Sequence, residues 1–166
     1  MNNIEDIHRV LPAALELAAI QPDEYILVGS AAEFIAGFTK DFRNIDIWVP
    51  NSVFEKALKQ GLEVKTRYHT RVISIGYVDI FESSTKYFLK PKRENAPYTM
   101  LKNMDMIGWR LIMGSPKDKL RVWEITHHLY ASLRQTMMEN PEAAAINGLT
   151  EMENVIFKIQ KHLIEN

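Results

Sequence analysis

The chain of 166 residues contains no cysteine, which excludes disulfides, a thiol nucleophile and a cysteine-ligated zinc site without fixing the redox compartment. It has no apolar run long enough to cross a bilayer, so no membrane association is expected. The start, Met1-Asn2-Asn3-Ile4-Glu5-Asp6, is acidic and lacks the basic and apolar regions of a secretory signal, so the cytoplasm is the expected location. An excess of either charge is missing too. Twenty Lys and Arg against 21 Asp and Glu leave a formal net charge of −1, which argues against broad nonspecific nucleic-acid binding, since that depends on neutralising many phosphates. No internal repeat or low-complexity linker is visible, and a single domain over residues 1–166 is expected. Its 46% apolar and 25% charged residues suit a compact domain with a real core.

Against that background one pattern stands out. Ile26-Leu27-Val28 reads as a short apolar strand that ends in Gly29-Ser30 and opens a helix. Backbone N–H groups and the positive end of the helix then face whatever lies beyond the strand, a natural seat for phosphate. Thirteen residues later comes Asn44-Ile45-Asp46-Ile47, and about thirty further on Val78-Asp79-Ile80-Phe81. Strand side chains alternate faces, so Asn44 and Asp46 point one way while Ile45 and Ile47 point into a core. Asp79 sits likewise between aliphatics. A carboxylate in that setting is costly to bury unless it binds a cation or accepts hydrogen bonds, which makes a magnesium-nucleotide site the expectation.

These residues resemble the signature of nucleotidyltransferases of the DNA polymerase beta superfamily: an apolar strand, Gly-Gly or Gly-Ser, about ten residues, acidic-x-acidic on a second strand, and a third carboxylate later. Gly29, Ser30, Asp46 and Asp79 match, whereas Asn44 stands where the family has its first acid. Asparagine offers a carbonyl oxygen but no charge. Two divalent ions about 4 Å apart repel strongly, so the missing charge implies weaker metal binding or lost catalysis. From Met100 to Ile125 the chain is similar to the helix pair of small bacterial and phage nucleotidyltransferases of the abortive-infection toxin kind. Arg110 holds their basic position and Pro116-Lys117-Asp118 is kept, but Ser115 replaces an arginine and Arg121 falls where a second acid is expected.

The resemblance, over residues 24 to 125, implies an α/β (α+β) nucleotidyltransferase-like fold: a mixed sheet flanked by helices, with a core over 24–97 and a helical portion over 98–166. It implies binding of a nucleoside triphosphate with magnesium, and transfer of a nucleoside monophosphate to a hydroxyl on an RNA (tRNA among them), a protein or a small molecule. Asp46, Asp79 and Asn44 would be catalytic, with Asp46 and Asp79 as metal ligands. Gly29, Ser30, Arg43, Arg110 and Lys117 would bind phosphate. The alternative is a catalytically degenerate binding protein of the same fold, the antitoxin, decoy or regulator of a toxin-antitoxin or phage-defence system. Asn44, Ser115 and Arg121 favour it. Oligomeric state, base preference and acceptor are not legible.

Each residue also has a structural reading. Ser30 is better suited to phosphate binding or helix capping than to nucleophilic attack. Asp46 could instead form a salt bridge with Arg43 or Arg71, and Asn44 could be a structural hydrogen bonder. Arg110 and Lys117 could pair with Asp105 or Asp118. Lys86, Lys90, Lys92 and Arg93, interleaved with Tyr87 and Phe88, form either a polynucleotide patch or a solvated loop. Adjacent His127-His128 on a helix point about 100° apart and cannot clamp one ion. The tryptophans read as core anchors, although Trp48 shares the face of Asp46 and could stack on a base.

Periodicity and caps predict helix over 4–20, bent or divided at Pro12, a strand over 25–28, a helix over 31–37 closed by Gly37, and a strand over 45–49. Asn51-Ser52 caps a helix to about residue 60, with Glu55 in capping-box range. Residues 62–66, 71–75 and 77–82 read as strands, the last two joining into one bent strand if Gly76 hosts a bulge. Beyond residue 97 the chain reads as wholly helical, with Ser115-Pro116 starting one helix, Asn140-Pro141 making a break, and a capping box at Thr150 and Glu153 opening the last. In that helix Met152, Val155, Ile156, Ile159 and Leu163 form an apolar stripe, read as core or dimer contact.

Overall fold

A computed structural model describes residues 3–67, 69–84, 86, 88–142 and 148–165. The chain divides into two compact units, residues 1–106 and 107–166. In chain order the elements are α1 (Ile4–Leu17), β1 (Ile26–Val28), α2 (Gly29–Ile35), β2 (Ile45–Pro50), α3 (Asn51–Leu58), β3 (Val64–Arg67), β4 (Thr70–Ile75), β5 (Val78–Ser83), α4 (Asn103–Met113), α5 (Pro116–Glu139) and α6 (Leu149–Glu165). Among the described residues no helix is long and apolar enough to cross a membrane.

The first unit is built on a five-stranded sheet of order β1-β2-β5-β4-β3. β2 and β5 are parallel and every other neighbouring pair is antiparallel, so the sheet is mixed, as the sequence predicts. The crossover from β2 to its parallel neighbour runs through α3 and the β3–β4 hairpin. α1, α2 and α3 pack on the sheet, giving an α+β architecture. Strand aliphatics Ile26, Leu27, Ile45, Ile47, Ile73 and Ile80 are fully buried with Phe54 of α3 and with Ile7 and Leu11 of α1. Each such side chain contributes about 1.5–3 kcal/mol by leaving water.

α1 starts where the Asn3 side chain accepts a hydrogen bond from the Asp6 N–H at 2.9 Å. It buries Ile7, Leu11, Ala14 and Leu15, one face at helical spacing. Pro12 does not divide it; the helix is continuous through that position and ends three residues earlier than the periodicity predicts. α3 begins at Asn51 without a side-chain cap. Asn51 instead donates to Glu82 Oε1 at 2.5 Å, and Glu55 pairs with Arg71, so two of the three predicted capping residues serve tertiary contacts.

β4 and β5 are two strands, not one bent strand. Ile75 pairs with Val78 across a two-residue turn whose first residue, Gly76, has φ +57°. A positive φ there is the geometry of a tight hairpin, which glycine adopts without steric cost. Nor is the chain helical from residue 97. Met100 bridges Leu27 in parallel, Leu101 bridges Lys92, and the Leu27 N–H donates to Thr99 O at 2.8 Å, so a short strap covers the outer border of β1 before α4 begins. The opposite border, β3, is exposed throughout.

In the second unit α5 opens as predicted, with Ser115 as N-cap and Pro116 in the first turn, and Asn140 closes it. α6 begins at Leu149, so Thr150 lies inside the helix rather than at its cap, and Glu153 pairs with Arg134 at 3.6 Å. α5 and α6 pack through Tyr130 and Phe157, whose ring centroids are 5.1 Å apart. Of the apolar stripe on α6, Ile156 is buried while Met152 and Val155 are exposed.

Candidate functional site

Register decides whether the two acids meet. Asp46 on β2 and Asp79 on β5 are direct partners in the parallel pair. Their backbones are therefore about 4.8 Å apart with side chains on one face. Asp46 also pairs with Val28 of β1, which brings Gly29 beside its carboxylate. Gly29 has φ +66°, and a Cβ there would lie 2.4 Å from Asp46 Oδ2. Both facts require glycine at the end of β1. α2 then starts at Gly29, is seven residues long and lacks a side-chain cap. Ser30 is its second residue and half-buried, so it does not act as the helix cap.

Asp79 is the centre of the cluster and only 3% exposed. Three donors surround it. Asn44 Nδ2 donates to Oδ2 at 3.1 Å, Arg67 Nη1 donates to the same oxygen at 2.6 Å, and Ser74 Oγ donates to Oδ1 at 2.6 Å. Ser74 is the register partner of Asp79 on β4, while Arg67 comes from β3 at the sheet border and keeps a side chain 44% exposed. A buried carboxylate requires such partners, because its desolvation is otherwise uncompensated. Asn44 itself is exposed and Asp46 half-buried. The structure thus brings together Gly29, Asn44, Asp46 and Asp79 from the predicted set and adds Arg67 and Ser74. Ser74 is foreshadowed by its place one residue beyond Val72-Ile73 on a strand; nothing in Val64-Lys65-Thr66-Arg67 marks Arg67.

Arg43 is exposed and forms no ion pair among the described residues. Arg71 is not the partner of Asp46: its Nε lies 2.7 Å from Glu82 Oε2 and its Nη2 lies 2.7 Å from Glu55 Oε1. The Arg71 guanidinium, then the Asn51 amide, hold the Glu82 carboxyl down at about 2, and the two carboxylates raise Arg71 further above its ordinary range. Glu82 pairs with Val49, toward the opposite end of the strands from Asp79.

Arg110 and Lys117 belong to the second unit. Arg110 is buried, donates to Asp118 Oδ1 at 2.8 Å and lies over the Trp109 ring at 4.7 Å. Asp118 also accepts from Ser115 Oγ at 2.5 Å, while its N–H donates back to that oxygen at 3.2 Å. This network fastens the start of α5, the role the structural reading gives Arg110. Lys117 is exposed.

Much of the basic stretch after β5 is spent internally. Lys90 pairs with Asp105, Lys92 Nζ donates to Phe88 O and Lys90 O, and Arg93 donates to Asn103 Oδ1 at 2.9 Å. Tyr87 lies outside the described residues. Trp48 is 7% exposed, so its ring does not offer a stacking face. Trp123, expected in the core, is 37% exposed.

Magnesium fits this arrangement poorly. A hard cation needs oxygen lone pairs directed at it, but the groups converging on Asp79 are an amide N–H, a guanidinium N–H and a hydroxyl O–H. No group of three or more His, Asp or Glu able to hold a metal exists among the described residues. In this conformation both Asp79 oxygens are engaged.

No family model and no curated protein matches the chain. Among solved structures it is similar to a Thermotoga maritima protein described as a "putative nucleotidyltransferase", at 15% identity and a TM-score of 0.46, covering 72% of this chain and 93% of that one.

Proposed function

We propose that the chain is a nucleotide-binding protein of nucleotidyltransferase type in which the transfer chemistry has been retired. The observation that carries this reading is the state of Asp79. It stands in register with Asp46 beside the Gly29-Ser30 turn, the arrangement the sequence resemblance implies, yet its carboxylate is neutralised by Arg67 and held by Asn44 and Ser74. In-line nucleotidyl transfer relies on positioning and on charge neutralisation by metal ions. With an amide at the first acidic position and an arginine on the third acid, those ions lose their ligands. A phosphate-bearing ligand is still served by the Gly29-Ser30 turn and by the guanidinium.

The protein would then act by binding rather than by turnover, in the cytoplasm where nucleoside triphosphates are held. Regulatory service as an antitoxin or decoy suits such a chain. The competing reading, an active magnesium-dependent transferase acting on an RNA, protein or small-molecule hydroxyl, is favoured by the intact register of Asp46 and Asp79.

Calorimetric titration of ATP, GTP, CTP and UTP, in EDTA and in magnesium, separates the two. Binding of at least one triphosphate with similar affinity in both buffers, and no labelled monophosphate transferred in cell extract, is the expected result. Binding that requires magnesium, together with transfer, would establish the active enzyme instead. Absence of binding to any triphosphate would end the nucleotide reading.

A further inference from the structure

The geometry points to Arg67 as the resident cation of the acid pair, a built-in substitute that keeps divalent ions out of the Asp46–Asp79 site. The proposal takes from the functional reading only the location of the site and does not depend on nucleotide binding.

Three observations carry it. Asp79 is nearly inaccessible, so its charge must be compensated within the protein, and Arg67 is the only cation paired with it among the described residues. The guanidinium nitrogen is 2.6 Å from Oδ2 of Asp79, whose register partner on β2 is Asp46. A divalent ion bridging the two carboxylates would have to compete with the donors on Asp79 and sit beside the like charge of Arg67. Finally, Arg67 ends the exposed border strand β3 and keeps a side chain 44% exposed. Its only polar partner among the described residues is Asp79, so nothing else anchors it. Removing the guanidinium leaves Asp79 with two neutral donors and an unbalanced charge one strand away from Asp46. Two adjacent carboxylates on one face then form the minimum for a single divalent ion.

Manganese alone is the probe, titrated into the full chain and followed by the loss of its free electron paramagnetic resonance signal. The native protein should show no saturable site below the millimolar range. Arg67→Gln should gain one site at least tenfold tighter, and that site should disappear in Arg67→Gln/Asp79→Asn and in Arg67→Gln/Asp46→Asn. Circular dichroism and melting of each variant establish that it is folded; Arg67→Met takes the place of Arg67→Gln if the latter does not fold and should gain the same site, whereas Arg67→Lys, retaining a cation, should leave manganese excluded. The proposal is overturned if the native chain binds manganese as tightly as Arg67→Gln, if folded Arg67→Gln gains no site, or if the gained site survives loss of Asp79. No nucleotide is present, so failure here is distinct from failure of the triphosphate titration.

Discussion

Replacing Gly29 by alanine tests the central contact of the site. The backbone there has φ +66°, a left-handed conformation that costs a residue with a Cβ about 1–2 kcal/mol. The added methyl would also meet Asp46 Oδ2 at 2.4 Å, with the Cγ and Cβ of Asp46 at 3.2 and 3.3 Å. Real Cβ atoms do not approach so closely, and forcing extra volume into a packed position costs about 1–3 kcal/mol. The total is about 3 kcal/mol, equivalent to a fall of roughly 6–12 °C in Tm for a chain of this size.

Gly61 supplies the control. Its φ of +78° carries the same conformational cost, but nothing lies within 4 Å of a built Cβ. Gly61→Ala should therefore lose only the first part. In urea denaturation Gly29→Ala should be the more destabilised of the two by at least about 1 kcal/mol. Adding Asp46→Ala should recover part of that difference, as a coupling of about 1–2 kcal/mol between neighbouring sites. If Gly29→Ala and Gly61→Ala cost the same, or if Gly29→Ala and Asp46→Ala are additive, Gly29 and Asp46 are not in contact and the site as described does not exist.

Two further outcomes are expected. Because Arg71 and Asn51 hold Glu82 at about 2, below its ordinary 4.5, its stabilisation is complete above about pH 5 and is lost as the pH falls from there through 2. After allowance for solvent screening of a partly exposed pair, Glu82→Gln should cost about 1 kcal/mol at pH 7 and progressively less as the pH falls toward 2, measured by denaturation across that range. Ser115→Ala removes the N-cap of α5 and one partner of Asp118, and should lower stability by about 1 kcal/mol in thermal melting, whereas Ser115→Asp should retain part of the cap.

The fold was legible where local chemistry is strong. Apolar runs with punctuating glycine and proline give β1, β2 and the start of α5 to within a residue or two, while the mixed sheet is what the family resemblance implies. Errors arise where tertiary contacts recruit residues that local rules assign elsewhere. Asn51 and Glu55 have capping chemistry but are used by Glu82 and Arg71, and Met100-Leu101 has helical composition but is drawn into bridges with Leu27 and Lys92.

The site divides in the same way. That Gly29, Asn44, Asp46 and Asp79 are neighbours is legible because short-range spacing on a strand and at its end places them. Asp79 meets Ser74 through a hairpin that the sequence reading left open at Gly76. Arg67 reaches the site from β3, and a charged residue on an exposed strand looks the same in sequence whether it faces solvent or folds back over the sheet. For Arg110 the sequence offers two readings, phosphate from its motif position and pairing with a neighbouring acid; the structure shows the buried pair with Asp118.

The two outer strands differ in how open they are to a second copy of the chain. The strap through Thr99 and Met100 occupies hydrogen-bonding groups of β1, so polymerisation through that side is sterically closed. Among the described residues β3 has no such cover, and Lys65 on that exposed strand, with Arg67 committed to Asp79, is the charge that repels a second copy approaching strand to strand. Concentrated salt, which screens that repulsion, should therefore promote aggregation through β3 first.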